Sequence, residues 1–151
     1  MISEGQPAPD LELESDTGDR VKLADFRGKT VVLYFYPKDD TPGCTTEACE
    51  FRDTYDRFRD QGVEVVGVSP DPVDSHQKFK SKHELPFPLL ADTEHELAEA
   101  YGVWGEKKNM GRTYMGVTRS TFVIDPEGKV VKAMVGIKPA GHAAQILDQL
   151  A

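Results

Sequence analysis

Two cysteines, Cys44 and Cys49, fall in one short segment of the 151-residue chain, Pro37-Lys38-Asp39-Asp40-Thr41-Pro42-Gly43-Cys44-Thr45-Thr46-Glu47-Ala48-Cys49. Cysteine does chemistry as its thiolate, which attacks electrophilic oxygen or sulfur, so what matters is whether this segment favours the anion. Thr41 suits a helix N-cap and Pro42 the first helical position, which puts Cys44 in the first turn. Backbone N–H groups without intrahelical acceptors point outward there and carry the positive end of the helix dipole. Both effects stabilise a sulfur anion.

Facing directions add geometry. Ala48, Phe51, Tyr55 and Phe58 recur at steps of three and four, the stripe of an amphipathic helix. Cys44 lies in the middle of that stripe and is expected to point inward, at the bottom of a pocket. Cys49 lies about 140° round the helix, beside Glu50, Arg52 and Asp53. On an intact helix the two Cα atoms stand roughly 8–9 Å apart, and a disulfide tolerates no more than about 7 Å. The pair can bridge only if the first turns unwind. On residue type alone, two buried structural thiols are an equal alternative. A zinc site needs two further ligands, and His76, His83, His95 and His142 have no ligand spacing, so neither metal nor cofactor is expected. A dithiol redox motif of the C-x-x-C kind has two intervening residues, and this pair has four. Asp39-Asp40 reads as a solvated loop.

The elements that must position this segment follow from periodicity. Pro7 to Leu23 alternates loosely around Asp16-Thr17-Gly18-Asp19, which predicts an N-terminal hairpin. Residues 31–36, VVLYFY, and 63–68, VEVVGV, are runs suited to strands buried on both faces, with the helix between them. A polar helix over Val73–His83, a short strand at Leu89–Ala91 and a helix from Glu94 to Tyr101 come next. Trp104, Met110 and Met115 fall in a stretch that reads as a loop, rimming the cysteine site or simply packing. Residues 120–124 and 129–135 flank Asp125-Pro126-Glu127-Gly128, a hairpin signal, and a helix over Gly141–Leu150 closes the chain. The expected fold is α/β: a mixed central sheet with helices on both faces and an N-terminal hairpin, similar to the thioredoxin type.

Composition bounds the rest. The length suits one domain, residues 1–151. Eighteen basic against 26 acidic residues leave a net charge of −8, which argues against nucleic acid or an anionic membrane surface as partner. The longest apolar run is far short of the ~20 residues of a membrane span. Met1-Ile2-Ser3-Glu4 shows no secretory signal, and with so few cysteines a cytoplasmic location is expected.

Pro37-x-x-x-Thr41-x-x-Cys44 resembles the P-x-x-x-T-x-x-C signature of the peroxiredoxins. The five-residue step to Cys49 is similar to their Q-type subfamily, the bacterioferritin comigratory proteins. The likeness extends to YGVWGEKKNMGRTYMGVTRSTFVID at 101–125 and to Gly28-Lys29, with no departure at the motif positions. The resemblance implies a thiol peroxidase for hydrogen peroxide and organic hydroperoxides. In it Cys44 is the peroxidatic cysteine, and Cys49 the resolving cysteine that closes an intramolecular disulfide after local unfolding. A thioredoxin-like protein then reduces that disulfide. Thr41 is expected to hydrogen-bond the thiolate and the peroxide, and Arg119 to stabilise the anion and the departing oxygen. Pro37 would shield the sulfur from water, and Glu47 would orient the arginine. An intramolecular disulfide needs no second subunit, so a monomer is expected. Two other readings use the same sulfurs: a thiol-disulfide oxidoreductase acting on protein thiols, and a non-enzymatic holdase or scaffold with structural cysteines.

Overall fold

The turn Asp16–Asp19 closes a hairpin between β1 (Leu13–Ser15) and β2 (Arg20–Val21) in the computed structural model, which describes residues 2–150. Ser15 and Asp19 close the turn through a backbone bond of 2.8 Å. The β-branched and aromatic run Thr30–Phe35 forms β3, and α1 (Pro42–Asp60) carries the chain over to β4 (Val63–Ser69). β3 and β4 pair in parallel from Thr30 opposite Val63 to Phe35 opposite Val68. Next come α2 (Val73–His83), β5 (Leu89–Ala91), α3 (Glu96–Ala100), β6 (Trp104–Asn109) and β7 (Arg112–Val117). The chain ends with β8 (Ser120–Ile124), β9 (Val130–Val135) and α4 (His142–Leu150).

Seven strands form one mixed sheet in the order β2-β1-β5-β4-β3-β8-β9. Successive side chains of a strand point to opposite faces, and the two cores divide accordingly. Val32, Tyr34 and Tyr36 pack with Phe51 and Phe58 of α1, Phe79 of α2 and Ile146 of α4. Val31, Leu33 and Phe35 pack on the other face with Leu97 and Ala98 of α3, Tyr101 and Val117. The side chains of Tyr34, Phe51 and Phe58 are fully buried, and each phenylalanine contributes about 1.5–3 kcal/mol. Tyr34 stacks on Phe51 at 4.7 Å between ring centroids, which ties β3 to α1. Among the described residues no helix is long and apolar enough to cross a membrane.

Two expectations are corrected. The stretch holding Trp104, Met110 and Met115 is not a loop: β6 and β7 pair as a separate two-stranded sheet, Trp104 opposite Val117. Its turn places Met110 (φ 53°) and Gly111 (φ 80°) both in left-handed backbone, as a tight hairpin turn requires. Methionine is an unusual residue there, which hid the signal. Met110 and Met115 are exposed, while Trp104 stacks on the His95 ring at 3.9 Å. The helix expected from Glu94 begins only at Glu96, because Asp92 accepts from the Leu97 and Ala98 amides at 3.1 and 2.9 Å. Those bonds fix the N-terminal amides and leave His95 outside at φ 47°.

Candidate active site

The chain leaves β3 through Tyr36 and Pro37 and enters α1 at Pro42, so the start of α1 lies at the carboxyl end of a central strand. Cys44 is the third residue of that helix and, as its place on the apolar stripe predicts, faces inward: it is 1% exposed and packs in the cluster of Tyr34, Tyr36, Ala48 and Phe51. Its sulfur is covered. Three clefts of about 320 to 360 Å³ elsewhere on the molecule are lined by other residues. Cys49 is half-buried, both thiols are free, and α1 is continuous through both of them. This is the intact-helix state, in which the two Cα atoms stand roughly 8–9 Å apart by helix geometry.

Thr41 occupies the N-cap position in extended backbone, but its hydroxyl does not cap the helix. It donates instead to the Lys38 carbonyl at 2.9 Å and so braces the loop before α1. The helical ladder opens with the Thr45 amide on the Thr41 carbonyl at 2.8 Å, which leaves the Gly43 and Cys44 amides ahead of it. Pro37 is half-buried where the strand ends.

Arg119 reaches the cysteine through the sheet. β8 pairs antiparallel with β3, Ser120 opposite Phe35, so the residue before Ser120 meets the chain where it turns from β3 towards α1. The Arg119 carbonyl accepts the amides of Gly136 and Ile137 at 3.0 Å each, which fixes its backbone against the exit of β9. Its Nη2 then lies 3.3 Å from Cys44 Sγ, and its Nη1 donates to Glu47 Oε1 at 2.6 Å. Gly43 makes room for this: a Cβ there would stand 3.1 Å from Nη2 and 3.5 Å from Pro139 Cγ.

Glu47 shares the buried stripe of α1 with Cys44 and is 1% exposed. Burial pushes its carboxyl up to about 7, against the pull of the Arg119 charge. Burial also opposes the charge of Arg119, but Glu47 and then Cys44 outweigh it, and the guanidinium is held above its ordinary value. The cation is therefore a fixed charge, and the carboxyl beside it is the titrating member. Behind Arg119, His142 Nε2 meets Thr121 Oγ1 at 2.8 Å, and burial holds this imidazole below its ordinary value.

Of the expected site residues, the fold brings Cys44, Arg119 and Glu47 into direct contact. Thr41 and Pro37 are in the adjoining loop, and Cys49 is on the flank of the helix. Asp39 departs from the expectation of a solvated loop, because it is only 7% exposed. It accepts from the Tyr36 hydroxyl at 2.6 Å and the Ser75 hydroxyl at 2.8 Å, with His76 Nδ1 at 2.8 Å. These partners lie on β3's exit and on α2, so no local pattern links them. Gly43 could have been suspected from its place beside Cys44; nothing in the sequence marks His76.

Residues 4–133 match the profile of the AhpC/TSA family. Peroxiredoxin Bcp of Bacillus subtilis is 56% identical over 149 residues, covering 99% of this chain and 95% of its relative. Peroxiredoxin Bcp of Escherichia coli K12 is 42% identical over 149 residues, covering 99% and 96%. The solved structure of the Xanthomonas campestris bacterioferritin comigratory protein, described for its alkyl peroxide reduction activity, superposes with a TM-score of 0.91 at 39% identity, covering 98% of this chain and 97% of that one. The profile, the full-length relatives and the shared thioredoxin-like fold agree: this chain belongs to the AhpC/TSA family, among the peroxiredoxins of the Bcp or Q type.

Proposed function

We propose that the chain is a thiol peroxidase in which Cys44 is the peroxidatic and Cys49 the resolving cysteine. The observation that carries the reading is the Arg119 guanidinium, 3.3 Å from Cys44 Sγ and held by Glu47 at 2.6 Å. A fixed cation there is a charge-assisted donor to a sulfur anion and to the oxygen that departs. The sulfur anion attacks the terminal oxygen of a hydroperoxide, an S–O bond forms, and the O–O bond breaks. The products are Cys44 sulfenic acid and an alkoxide (hydroxide from hydrogen peroxide), which takes up a proton to leave as alcohol or water.

Cys49 cannot reach Cys44 while α1 is intact. Once the first turns unwind, the Cys49 thiol attacks the sulfenic sulfur, forming the disulfide and expelling water. A dithiol protein of the thioredoxin class then restores both thiols by exchange. The relatives' activity, including alkyl peroxide reduction for the Xanthomonas protein, supports organic hydroperoxides beside hydrogen peroxide as substrates. Thr41 and Pro37 are neighbours of the helix start in the loop before α1, and the protein acts as a monomer in the cytoplasm.

Intact mass after one equivalent of hydrogen peroxide tests the roles. Reduced wild type is expected to lose two hydrogens, and Cys49→Ser to gain one oxygen. No rapid change in either protein removes the peroxidase reading. A disulfide oxidoreductase would lose two hydrogens only to a disulfide substrate.

A further inference from the structure

The loop between β3 and α1 is held by α2 at two consecutive residues. Asp40, at a φ of 60°, takes Lys82 Nζ at 2.9 and 3.1 Å and His83 Nε2 at 3.3 Å on the exposed side. Asp39 turns inward to His76, and neither side chain is more than 4% exposed. The Asp39 amide is fixed as well, donating to Asp71 Oδ2 at 2.7 Å.

Hydrogen-bond chemistry places the protons in this buried group. The Leu90 carbonyl on β5 only accepts, so His76 Nε2, 2.8 Å from it, carries a hydrogen. Asp39 Oδ1 accepts from the Tyr36 hydroxyl at 2.6 Å, and Oδ2 accepts from the Ser75 hydroxyl at 2.8 Å. A neutral imidazole with its hydrogen on Nε2 would turn the Nδ1 lone pair on that same Oδ2 at 2.8 Å. Two acceptors facing each other without water is a costly arrangement, and a hydrogen on Nδ1 removes it. The groups facing the ring are Tyr36 from the exit of β3, Asp39 and Asp71 from the two adjoining loops, and Leu90 O from β5, with Ser75 on its own helix.

We propose that His76 is a positioning residue of the peroxidase: as an imidazolium it fixes Asp39, and through Asp39 the Pro37–Thr41 backbone from which α1 and Cys44 start. Burial works against the imidazolium, but the hydrogen bond and charge of Asp39 outweigh it and hold the ring above its ordinary value. The sign follows. The folded state retains a proton that the unfolded chain releases, so this anchor is complete below the ordinary imidazole value and is lost as pH rises through the folded one. The effect on rate rests on Cys44 being the reacting thiol, whereas the protonation state of His76 does not.

The test therefore has two readouts. Nitrogen-15 NMR of histidine-labelled, reduced wild type at about pH 7, just above the ordinary imidazole value, is expected to show hydrogens on both His76 ring nitrogens, with the signals assigned by their loss in His76→Gln. In Asp39→Asn the amide donates to Nδ1, and one ring hydrogen is expected. A single ring hydrogen in wild type overturns the proposal. The second readout is the rate of Cys44 oxidation against pH. Displacing the helix start is expected to slow His76→Gln by roughly 10- to 100-fold. Wild type is expected to slow as pH rises through the folded His76 value, and Asp39→Asn, which holds the loop without the proton, is expected to lack that alkaline fall. An unchanged rate and profile in both variants overturns the positioning role. Should His76→Gln fail to fold, the near-isosteric Asp39→Asn decides alone. No peroxide reaction in wild type, with His76 doubly protonated, would indict the peroxidase reading instead.

Discussion

Arg119 Nη2 stands 3.3 Å from Cys44 Sγ, although 75 positions of sequence separate the two residues. The antiparallel pairing of β8 with β3 and the burial of the α1 stripe bring them together, and Glu47 locks the guanidinium from the far side at 2.6 Å. The backbone pairing sets the distance and the side chains make the contact, which opens it to dissection by substitution.

Replacing Arg119 by Met keeps the bulk of the side chain but removes the charge and the donors. The rate of Cys44 oxidation by hydrogen peroxide is expected to fall roughly 100- to 1,000-fold, the usual effect of losing one such donor. Arg119→Lys is expected to recover little of it, because a single ammonium cannot bond Glu47 and sulfur in the same planar fork. Stopped-flow measurement of the second-order rate settles the matter, and full activity in the Met variant would show that the contact is only structural.

Gly43→Ala separates stability from activity. Alanine in the first turn of α1 is favoured over glycine by about 0.5–1 kcal/mol, yet its Cβ would stand 3.1 Å from Arg119 Nη2. The guanidinium has to give way, since Pro139 closes the other side at 3.5 Å. The expected variant is as stable as wild type in urea and reacts with peroxide about tenfold more slowly, a shift of ~1.4 kcal/mol in the barrier. Equal rates would mean that Arg119 moves without consequence.

Glu47→Gln carries a pH signature. A buried carboxyl raised from 4.5 to about 7 binds a proton in the folded state that the unfolded chain has released. Wild-type stability is therefore expected to decline as pH rises through that window, and to level off above it. The glutamine variant cannot titrate and should lack this slope. Urea midpoints collected from pH 4 to 8 check it, and parallel curves for the two proteins would contradict a raised Glu47.

Gly67→Ala probes the sheet beneath the site. Gly67 lies opposite Tyr34 in the β3–β4 register, and the phenol ring crosses over it. A Cβ at Gly67 would lie 2.9 Å from Leu89 Cδ2 and 3.0 Å from Tyr34 Oη. Two rigid, buried neighbours cannot both yield, so a loss of about 1–3 kcal/mol in unfolding free energy is expected. An unperturbed urea midpoint would show that the aromatic layer between β3 and α1 is loose.

Periodicity and local chemistry alone determined much of this protein. The runs at 31–36 and 63–68, the stripe Ala48–Phe51–Tyr55–Phe58 and the Thr41-Pro42 start make β3, β4 and α1 legible, because burial on a strand or helix repeats at a fixed step. The same stripe placed Cys44 inward and Cys49 on the flank. What the sequence could not carry depends on partners distant along the chain. Asp39 looks like one acid of a solvated pair, and only the packing of α2 turns it onto His76, 37 positions away. Thr41 has the residue type of a capping group, yet its hydroxyl is drawn to the Lys38 carbonyl by the loop that Asp39 and Asp40 pin down. Met110 hides a tight turn that the pairing of β6 with β7 enforces despite the residue. Local propensity is worth tenths of a kcal/mol per residue and can be read along the chain. A buried ion pair, or a strand pairing that forces a left-handed residue, is set by groups meeting in space, and tertiary structure decided those.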